Sequence, residues 1–440
     1  MCGIVVTPLG AELSPDSAQL MILRGPDGFG KLNFNGYEFL HYLLKIEKSG
    51  TLQPLESDQT IVLFNGEIYN FRDFDQQSSE VVLIQKLYEC EGVSGLRQLD
   101  GEYVIVIYDK RAQSFIVATD TFGTKPIFYS CYQRKVYLAS YGSVLRSLGC
   151  KNIRRLSPNK FTEICALNGK VTSVTHNYRF SLEQRVRSYD RWFELLEGSV
   201  DKRFGHGRPD QSVFLGLSSG YDSGAIAAVL ERLGRRYTAF SVVDDKNKEK
   251  IVNRNLVAKY LDRHILIQDA RVVGTESRWP VEDQKFRIYS DTSKYLESGT
   301  STRLDRGAIG LSEICNLASQ MKLRVYLSGA GADEIYSDYG FRGGSIYPHS
   351  NFGGDYPNDL ATIFPWASFY GSSMQSYLLK EELVSGFFSM EGRYPFLDQA
   401  LVQEYLCFVP ELKNYEYKAP IAQYLRYAGY PVEFGQKLGF

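Results

Sequence analysis

The sequence predicts an α/β protein made of two unlike parts, and three observations predict it. Up to about residue 180, short apolar runs are separated by Gly, Asp, Asn and Lys turn clusters, the pattern of a β-rich layered domain. From about residue 185, strand-length runs alternate with stretches of helical period, the pattern of a parallel sheet with helices against it. The composition, 44% hydrophobic and 23% charged over 440 residues, is that of a globular chain with two or three domains.

In the first part the strand runs are 61–64, 103–108, 114–119, 127–129 and 136–139. Val81, Ile84, Leu87 and Tyr88 recur at helical spacing and predict a helix over 80–91. A second helix is expected near 15–23, capped by Ser14 or Asp16. In the second part Tyr189, Trp192, Phe193, Leu196 and Val200 mark an amphipathic helix. A buried-strand run at 212–217, a Gly/Ser loop at 218–224 and a helix at 225–233 follow. Strand 238–243, helix 249–262, strand 264–268, helix 309–321 and strand 323–327 continue the alternation. The stretch 338–357, rich in Gly, Tyr, Pro and Asp, reads as an exposed loop, and 370–427 reads as helical.

Charge and cysteine usage narrow the function. Fifty basic against fifty-one acidic residues argue against holding nucleic acid by bulk electrostatics. Seven cysteines without a CxxC pair, and five scattered histidines, argue against zinc and for free thiols in a reducing compartment, so a cytoplasmic location is expected. No apolar run approaches the ~20 residues of a membrane span.

Cys2 follows the initiator Met directly. Removal of Met1 would put a thiol and a free α-amine on one residue, a nucleophile beside its own base. The amine pKa of ~7.7–8.0 suits that task. Position alone favours reading Cys2 as a small residue in a strand. Asn65-Gly66 follows the 61–64 run, where an amide side chain and a glycine N–H can form an oxyanion hole, or simply an Asn-Gly turn. Gly25 to Lys31 fits GxxxxGK but ends in Leu32, so it offers no hydroxyl for magnesium and is set aside.

Ser218-Ser219-Gly220-Tyr221-Asp222-Ser223-Gly224 stands between a strand and a helix, where loop N–H groups and a helix start attract a polyanion. An aspartate inside a phosphate loop implies a cation, so Asp222 suggests magnesium.

Four motifs of the first part, Cys2-Gly3-Ile4, Arg24-Gly25-Pro26-Asp27, Asn65 to Asn70 and Asp120-x-x-Gly123-x-Lys125-Pro126, resemble in order those of class II glutamine amidotransferases. The resemblance implies an αββα sandwich of the N-terminal-nucleophile hydrolase type over 2–180. Cys2 would attack a glutamine amide, with Asn65 and Gly66 at the oxyanion.

The Ser218 loop resembles the Ser-Gly-Gly-x-Asp-Ser pyrophosphate loop, with Ser219 at the first glycine. Ser328-Gly329-Ala330-Gly331-Ala332-Asp333-Glu334, Glu391-x-Arg393-x-Pro395-Phe396-Leu397-Asp398 and Lys418 complete a resemblance to glutamine-hydrolysing asparagine synthetases and their β-lactam-forming relatives. That implies an α/β parallel-sheet ATP-pyrophosphatase domain over 185–440. It also implies ATP contacts at Leu217, Ser218, Ser219, Gly220, Asp222, Ser223, Val242, Ser328 and Gly329, with magnesium on Asp222 and Asp333. Lys418 would face the phosphates of an acyl-AMP. Ammonia, a second amide donor or glutamine would then supply nitrogen to a carboxylate acceptor. The resemblance leaves a homodimer open.

Three positions depart from the family pattern. Leu43 stands where the family has the Arg that holds the glutamine carboxylate, with Lys45 two residues on as an imperfect substitute. Ser78 stands where an Asp holds the amine, and Ala330 where asparagine synthetases have Glu and β-lactam-type synthetases Tyr. The expected activity is therefore an amide synthetase acting on a carboxylate other than aspartate, with weakened glutamine recognition. An asparagine-forming enzyme and a non-catalytic paralogue are the alternatives.

Overall fold

The computed structural model describes residues 1–46, 50–74, 79–205, 213–243, 251, 253–254, 258–268 and 306–434. Contacts divide the chain into two units, the first holding Met1–Arg179 and Ser385–Glu391, the second beginning at Phe180.

The first unit contains two six-stranded sheets. One is ordered β10 (Arg154–Arg155), β8 (Phe128–Tyr132), β9 (Lys135–Ala139), β1 (Gly3–Pro8), β3 (Tyr37–Leu43), β2 (Gly28–Phe34). The other is ordered β12 (Val171–His176), β11 (Lys160–Cys165), β7 (Ser114–Thr119), β6 (Gly101–Asp109), β5 (Thr60–Ile68), β4 (Leu55–Glu56). Strand β5 shows why two layers form. Its Ile61 and Leu63 enter the core shared with Ile4, Val6, Phe39 and Leu138 of the other sheet. Its Val62 and Phe64 enter a second core with Val81 and Ile84 of helix Glu80–Glu91. Alternation with period two sends successive apolar residues to opposite faces, so a strand apolar on both faces must be covered twice.

Helix Pro15–Arg24 covers the other sheet, packing on β1 and β3. Ser14 caps it, its Oγ accepting from Ser17 N at 3.3 Å. The result is a helix–sheet–sheet–helix sandwich.

The expected strand runs coincide with β5 to β9, and β1 to β4 and β10 to β12 are strands besides. Strand β2, GFGKLNF, has exposed Phe29 and Lys31 and carries too little apolar signal. All six residues of edge strand β12 are exposed.

In the second unit a five-stranded sheet runs β15 (Leu261–Gln268), β14 (Tyr237–Val243), β13 (Val213–Gly216), β16 (Val325–Leu327), β19 (Glu391–Arg393). Strand β13 is parallel to both β14 and β16. The chain leaves β13 in one direction through β14 and β15, then returns to its other side at β16. That reversal is a topological switch point, and ligands of open α/β sheets bind at the carboxyl ends of the strands flanking one.

Four expectations change here. The helix after β13 spans Tyr221–Arg232, four residues earlier than expected, so Asp222 and Ser223 lie on its first turn. Strand β15 begins at Leu261, inside the expected helix 249–262, six residues of which lie outside the described residues. The stretch 338–357 contains a small hairpin, Gly340–Phe341 with Gly344–Ser345. It folds around the buried Asp338 carboxylate, which accepts from Asn351 N at 2.6 Å and Phe352 N at 2.7 Å. Strand β19 interrupts the region expected to be helical; at three residues it is too short to show a period. No helix among the described residues is long and apolar enough to cross a membrane.

Candidate functional site

Two clusters gather the chemistry-bearing residues, one in each unit.

In the first unit a cleft is lined by Cys2, Leu43, Gly66, Glu67, Glu80 and Glu391, among others. Cys2 precedes β1, and Arg24, at the end of its helix and fully buried, donates Nε–H to the Cys2 carbonyl at 2.9 Å. Gly25 follows where the chain passes β3: a Cβ there would lie 2.2 Å from the Tyr42 carbonyl oxygen. Asp27 turns the chain on, its carboxylate accepting from Lys45 N at 2.7 Å. The Arg24-Gly25-Pro26-Asp27 turn is thus what seats the Cys2 backbone.

Asn65 and Gly66 lie at the end of β5. Gly66 has φ +135°, and a Cβ would lie 1.9 Å from the Glu102 carbonyl oxygen, so only glycine fits. The Asn65 side chain is fully buried, and neither its Nδ2 nor its Oδ1 has a hydrogen-bond partner among the described residues. A buried amide left without partners costs ~1–3 kcal/mol, and Asn65 itself is not among the residues that line the cleft. Burial pushes the Cys2 thiol up, against the pull of the nearby terminal ammonium.

Asp120 braces the neighbouring strands. Its buried carboxylate accepts from Tyr103 N, Phe122 N, Thr124 N and the Thr124 hydroxyl. Burial nevertheless raises its pKa to about 6.

The departures sit as follows. Leu43 lines the Cys2 cleft as the last residue of β3. The strand ends there, so its alternation does not carry on to Lys45, which is exposed and does not line the cleft. The expected substitution of Lys45 for a carboxylate-binding Arg is not made. Ser78 lies outside the described residues. Glu67, which the sequence reading did not single out, lines the cleft directly after the glycine.

In the second unit the loops after β13 and β16 meet. The Ser218 N–H donates to Ser223 Oγ at 3.0 Å, and Gly220 N–H to Ser218 Oγ at 3.1 Å. Arg254, buried, donates to the carbonyls of Ser218, Ser219 (2.7 Å) and Gly220 (2.9 Å). With the loop carbonyls turned toward one guanidinium, the helix start at Tyr221 is left for an anion. Ser219 is not among the positive-φ residues, so its side chain is accommodated without strain. Arg254 escaped the sequence reading, because nothing local ties a residue thirty-four positions on to this loop.

Leu217 continues β13, its N–H donating to the Phe240 carbonyl at 2.8 Å, while Val242 lies half-buried on β14. The Ser241 hydroxyl donates to the Leu217 carbonyl at 2.5 Å. Gly329 lies against Asp222, whose Cβ would be 2.9 Å from an added Cβ, and Ser328 Oγ accepts from Ala330 N at 3.0 Å.

Lys418 closes this cluster. It starts helix Ala419–Tyr427 in a left-handed conformation, φ 50°. Its Nζ donates to both Asp222 carboxylate oxygens at 2.7 Å and lies 3.0 Å from Asp333 Oδ1. The Tyr417 hydroxyl donates to Asp333 Oδ1 at 2.9 Å. Burial alone would lower the Lys418 pKa, but the two carboxylates outweigh it and hold it well above the ordinary lysine value.

Two carboxylates at the mouth of a phosphate-type loop are a suitable donor set for one hard divalent cation that completes its shell with phosphate oxygens and water. Such a cation would neutralise phosphate charge. No third acidic, histidine or cysteine ligand joins them among the described residues.

Buried Glu334 and Glu381 lie near this cluster, each raised by burial to about 7. Ala330 itself contributes no side-chain base.

Comparison with known proteins matches a glutamine amidotransferase domain profile over residues 1–179 and an asparagine synthase profile over 191–361. A putative glutamine-hydrolysing asparagine synthetase of Methanocaldococcus jannaschii is 27% identical over 77% of this chain and 68% of its own length. An asparagine synthetase of Arabidopsis thaliana is 25% identical over 94% of this chain and 71% of its own. A Gibberella zeae protein named amidase chry2 is 23% identical over 79% and 60%.

Proposed function

The chain belongs to the glutamine-hydrolysing asparagine synthetase family, ATP-dependent amidotransferase ligases, and from that premise we propose a member that amidates a carboxylate other than aspartate. In this reading ATP binds at the ends of β13 and β16 and transfers its adenylyl group to the acceptor carboxylate, releasing pyrophosphate. The N–H groups at the start of helix Tyr221–Arg232 and Lys418 Nζ hold the phosphates. Asp222 and Asp333 would hold magnesium, which when bound would supply charge neutralisation at the phosphates.

The nitrogen comes from an amide opened by Cys2. The thiolate attacks the amide carbon, Asn65 Nδ2 and the Gly66 N–H receive the oxyanion, and ammonia leaves. Ammonia then attacks the acyl-AMP and displaces AMP.

The observation that carries this reading is the Asp222–Lys418–Asp333 cluster at the switch point, its lysine buried and its carboxylates partly exposed, which offers phosphate-binding and metal-binding groups together. Leu43 in the Cys2 cleft and Ala330 in the loop after β16 support the departure from aspartate and free glutamine. The relatives named as asparagine synthetases favour the second reading, in which the acceptor is aspartate.

Pyrophosphate release from ATP and magnesium, with aspartate and with glutamine or ammonium, separates the two. The proposal expects no aspartate-dependent release with either donor, and release with another carboxylate. Asparagine formed at a rate typical of an enzyme would establish the second reading. Asp333→Asn should stop ATP cleavage with any acceptor; unaffected pyrophosphate release would remove it from the metal site.

A further inference from the structure

We propose that Glu391 is the counter-ion of the chain's amino terminus and, once Met1 is removed, the residue that positions the Cys2 α-amine. The proposal rests on the assignment of Cys2 as nucleophile and adds to it a group far away in sequence. Glu391 lies outside both matched domain spans, 1–179 and 191–361, yet packs with the first unit.

The geometry is enclosed on every side. The Met1 ammonium lies 3.6 Å from Glu391 Oε2, with side-chain exposures of 0% and 4%. Arg24 Nη2 points at the Met1 sulfur at 3.6 Å, Nη1 donates to the Tyr141 hydroxyl at 3.0 Å, and Nε donates to the Cys2 carbonyl. Met1 thus fills a sealed space with an anion at its amine and a cation at its thioether. Glu391 also lines the Cys2 cleft itself. Cleavage of Met1 leaves Cys2 with the new α-amine, one residue further in, and leaves Glu391 facing it.

Three glutamates line the cleft, Glu67, Glu80 and Glu391, and Glu391 is the one whose charge acts on the terminal ammonium. Arg24 and Lys125 are cations that disfavour a second one. His41, on β3, is held neutral by burial, its pKa near 3. Glu102 lies 3.9 Å from Lys125 Nζ and is turned to that cation. Without Glu391 an ammonium here would face two cations in a water-poor site.

The step it serves balances. The Cys2 S–H proton passes to the α-amine, giving thiolate and ammonium. The thiolate bonds to the amide carbon and the carbonyl π pair moves to oxygen. As the carbonyl re-forms, the C–N bond breaks and the ammonium returns its proton to the departing nitrogen as ammonia. The carboxylate of Glu391 stabilises the transient ammonium and so favours the first transfer.

The test uses the full chain and needs no turnover, so it is independent of which amide or acceptor the enzyme uses. Intact mass establishes loss of Met1. Site-resolved mass spectrometry then follows acetylation of the Cys2 α-amine by acetic anhydride as a function of pH in wild type, Glu391→Gln and Glu391→Asp. Removing the counter-ion disfavours the ammonium, so Glu391→Gln is expected to move the midpoint of amine modification about one unit toward lower pH. Glu391→Asp should restore most of the difference. A purely structural role would change the rate at every pH without moving the midpoint. An unmoved midpoint, an Asp variant no closer to wild type than the Gln variant, or retention of Met1 overturns the proposal. Should Glu391→Gln fail to fold, Glu391→Asp against wild type carries the test, with a smaller downward shift expected from its shorter reach and no shift overturning it.

Discussion

The two clusters treat their reactive groups in opposite ways. In the first unit the Asn65 amide stands buried with no hydrogen-bond partner among the described residues. Around Lys418 the three charges are paired with one another, the ammonium lying 2.7 Å from Asp222 and 3.0 Å from Asp333. The difference follows from what each would bind. A neutral amide can be buried unpaired for ~1–3 kcal/mol, a cost the fold can bear while the site waits for a carbonyl oxygen. An isolated buried ammonium costs far more, so a site for polyphosphate and metal must satisfy its own charges until they arrive. Preorganisation is open in the first case and self-neutralised in the second.

Four measurements break or sharpen that contrast. Cys2→Ala removes the nucleophile from the open site and should abolish amide-dependent turnover, by on the order of 10⁴-fold or more, while ammonia-dependent turnover survives. Equal loss of both would take Cys2 out of the donor site.

Lys418→Met breaks the self-neutralised site. Pyrophosphate release should fall by ~10²-fold or more, from lost charge stabilisation at the phosphates. Calorimetry should show a lower melting temperature in low salt, recovered by added divalent cation, because two adjacent carboxylates then lack their counter-ion. A melting point insensitive to both the substitution and the cation would show that the pairing contributes nothing.

Leu43→Arg tests what the open site no longer reads. A guanidinium in the Cys2 cleft should lower KM for glutamine by about tenfold, equivalent to ~1.4 kcal/mol. No gain would mean that glutamine's carboxylate is held elsewhere.

The smallest effect concerns Asp398, where a fully paired carboxylate serves structure alone. Lys202 and Arg203 hold its pKa near 2, and its Oδ1 caps helix Gln399–Leu406 through Ala400 N and Leu401 N. A folded pKa below the ordinary carboxylate value gives stability that is present above pH ~4 and fades as pH falls toward 2. Acid unfolding of Asp398→Asn should lack that component, ~1–3 kcal/mol, and start from a lower stability at neutral pH. Identical acid profiles would remove the ion pair from the stability account.

The sequence by itself singled out the candidate residues. Cys2, Asn65-Gly66, the 218–224 loop and Asp333 stand out because each belongs to a short motif read from its own neighbours, and Lys418 stands out only through the family resemblance. The long apolar strands and the helix at 80–91 were legible for the same reason, since periodicity is local. Only the tertiary structure decided what surrounds them. Arg254 reaches the 218–220 carbonyls, and Glu391 the amino terminus, across separations that no local pattern encodes. Lys45 fails to replace the missing arginine because β3 ends at Leu43, a boundary fixed by pairing with β1 and β2 rather than by its own residues. Which charges are paired and which polar groups stand open depends on burial and long-range contact, and those exist only once the chain has folded.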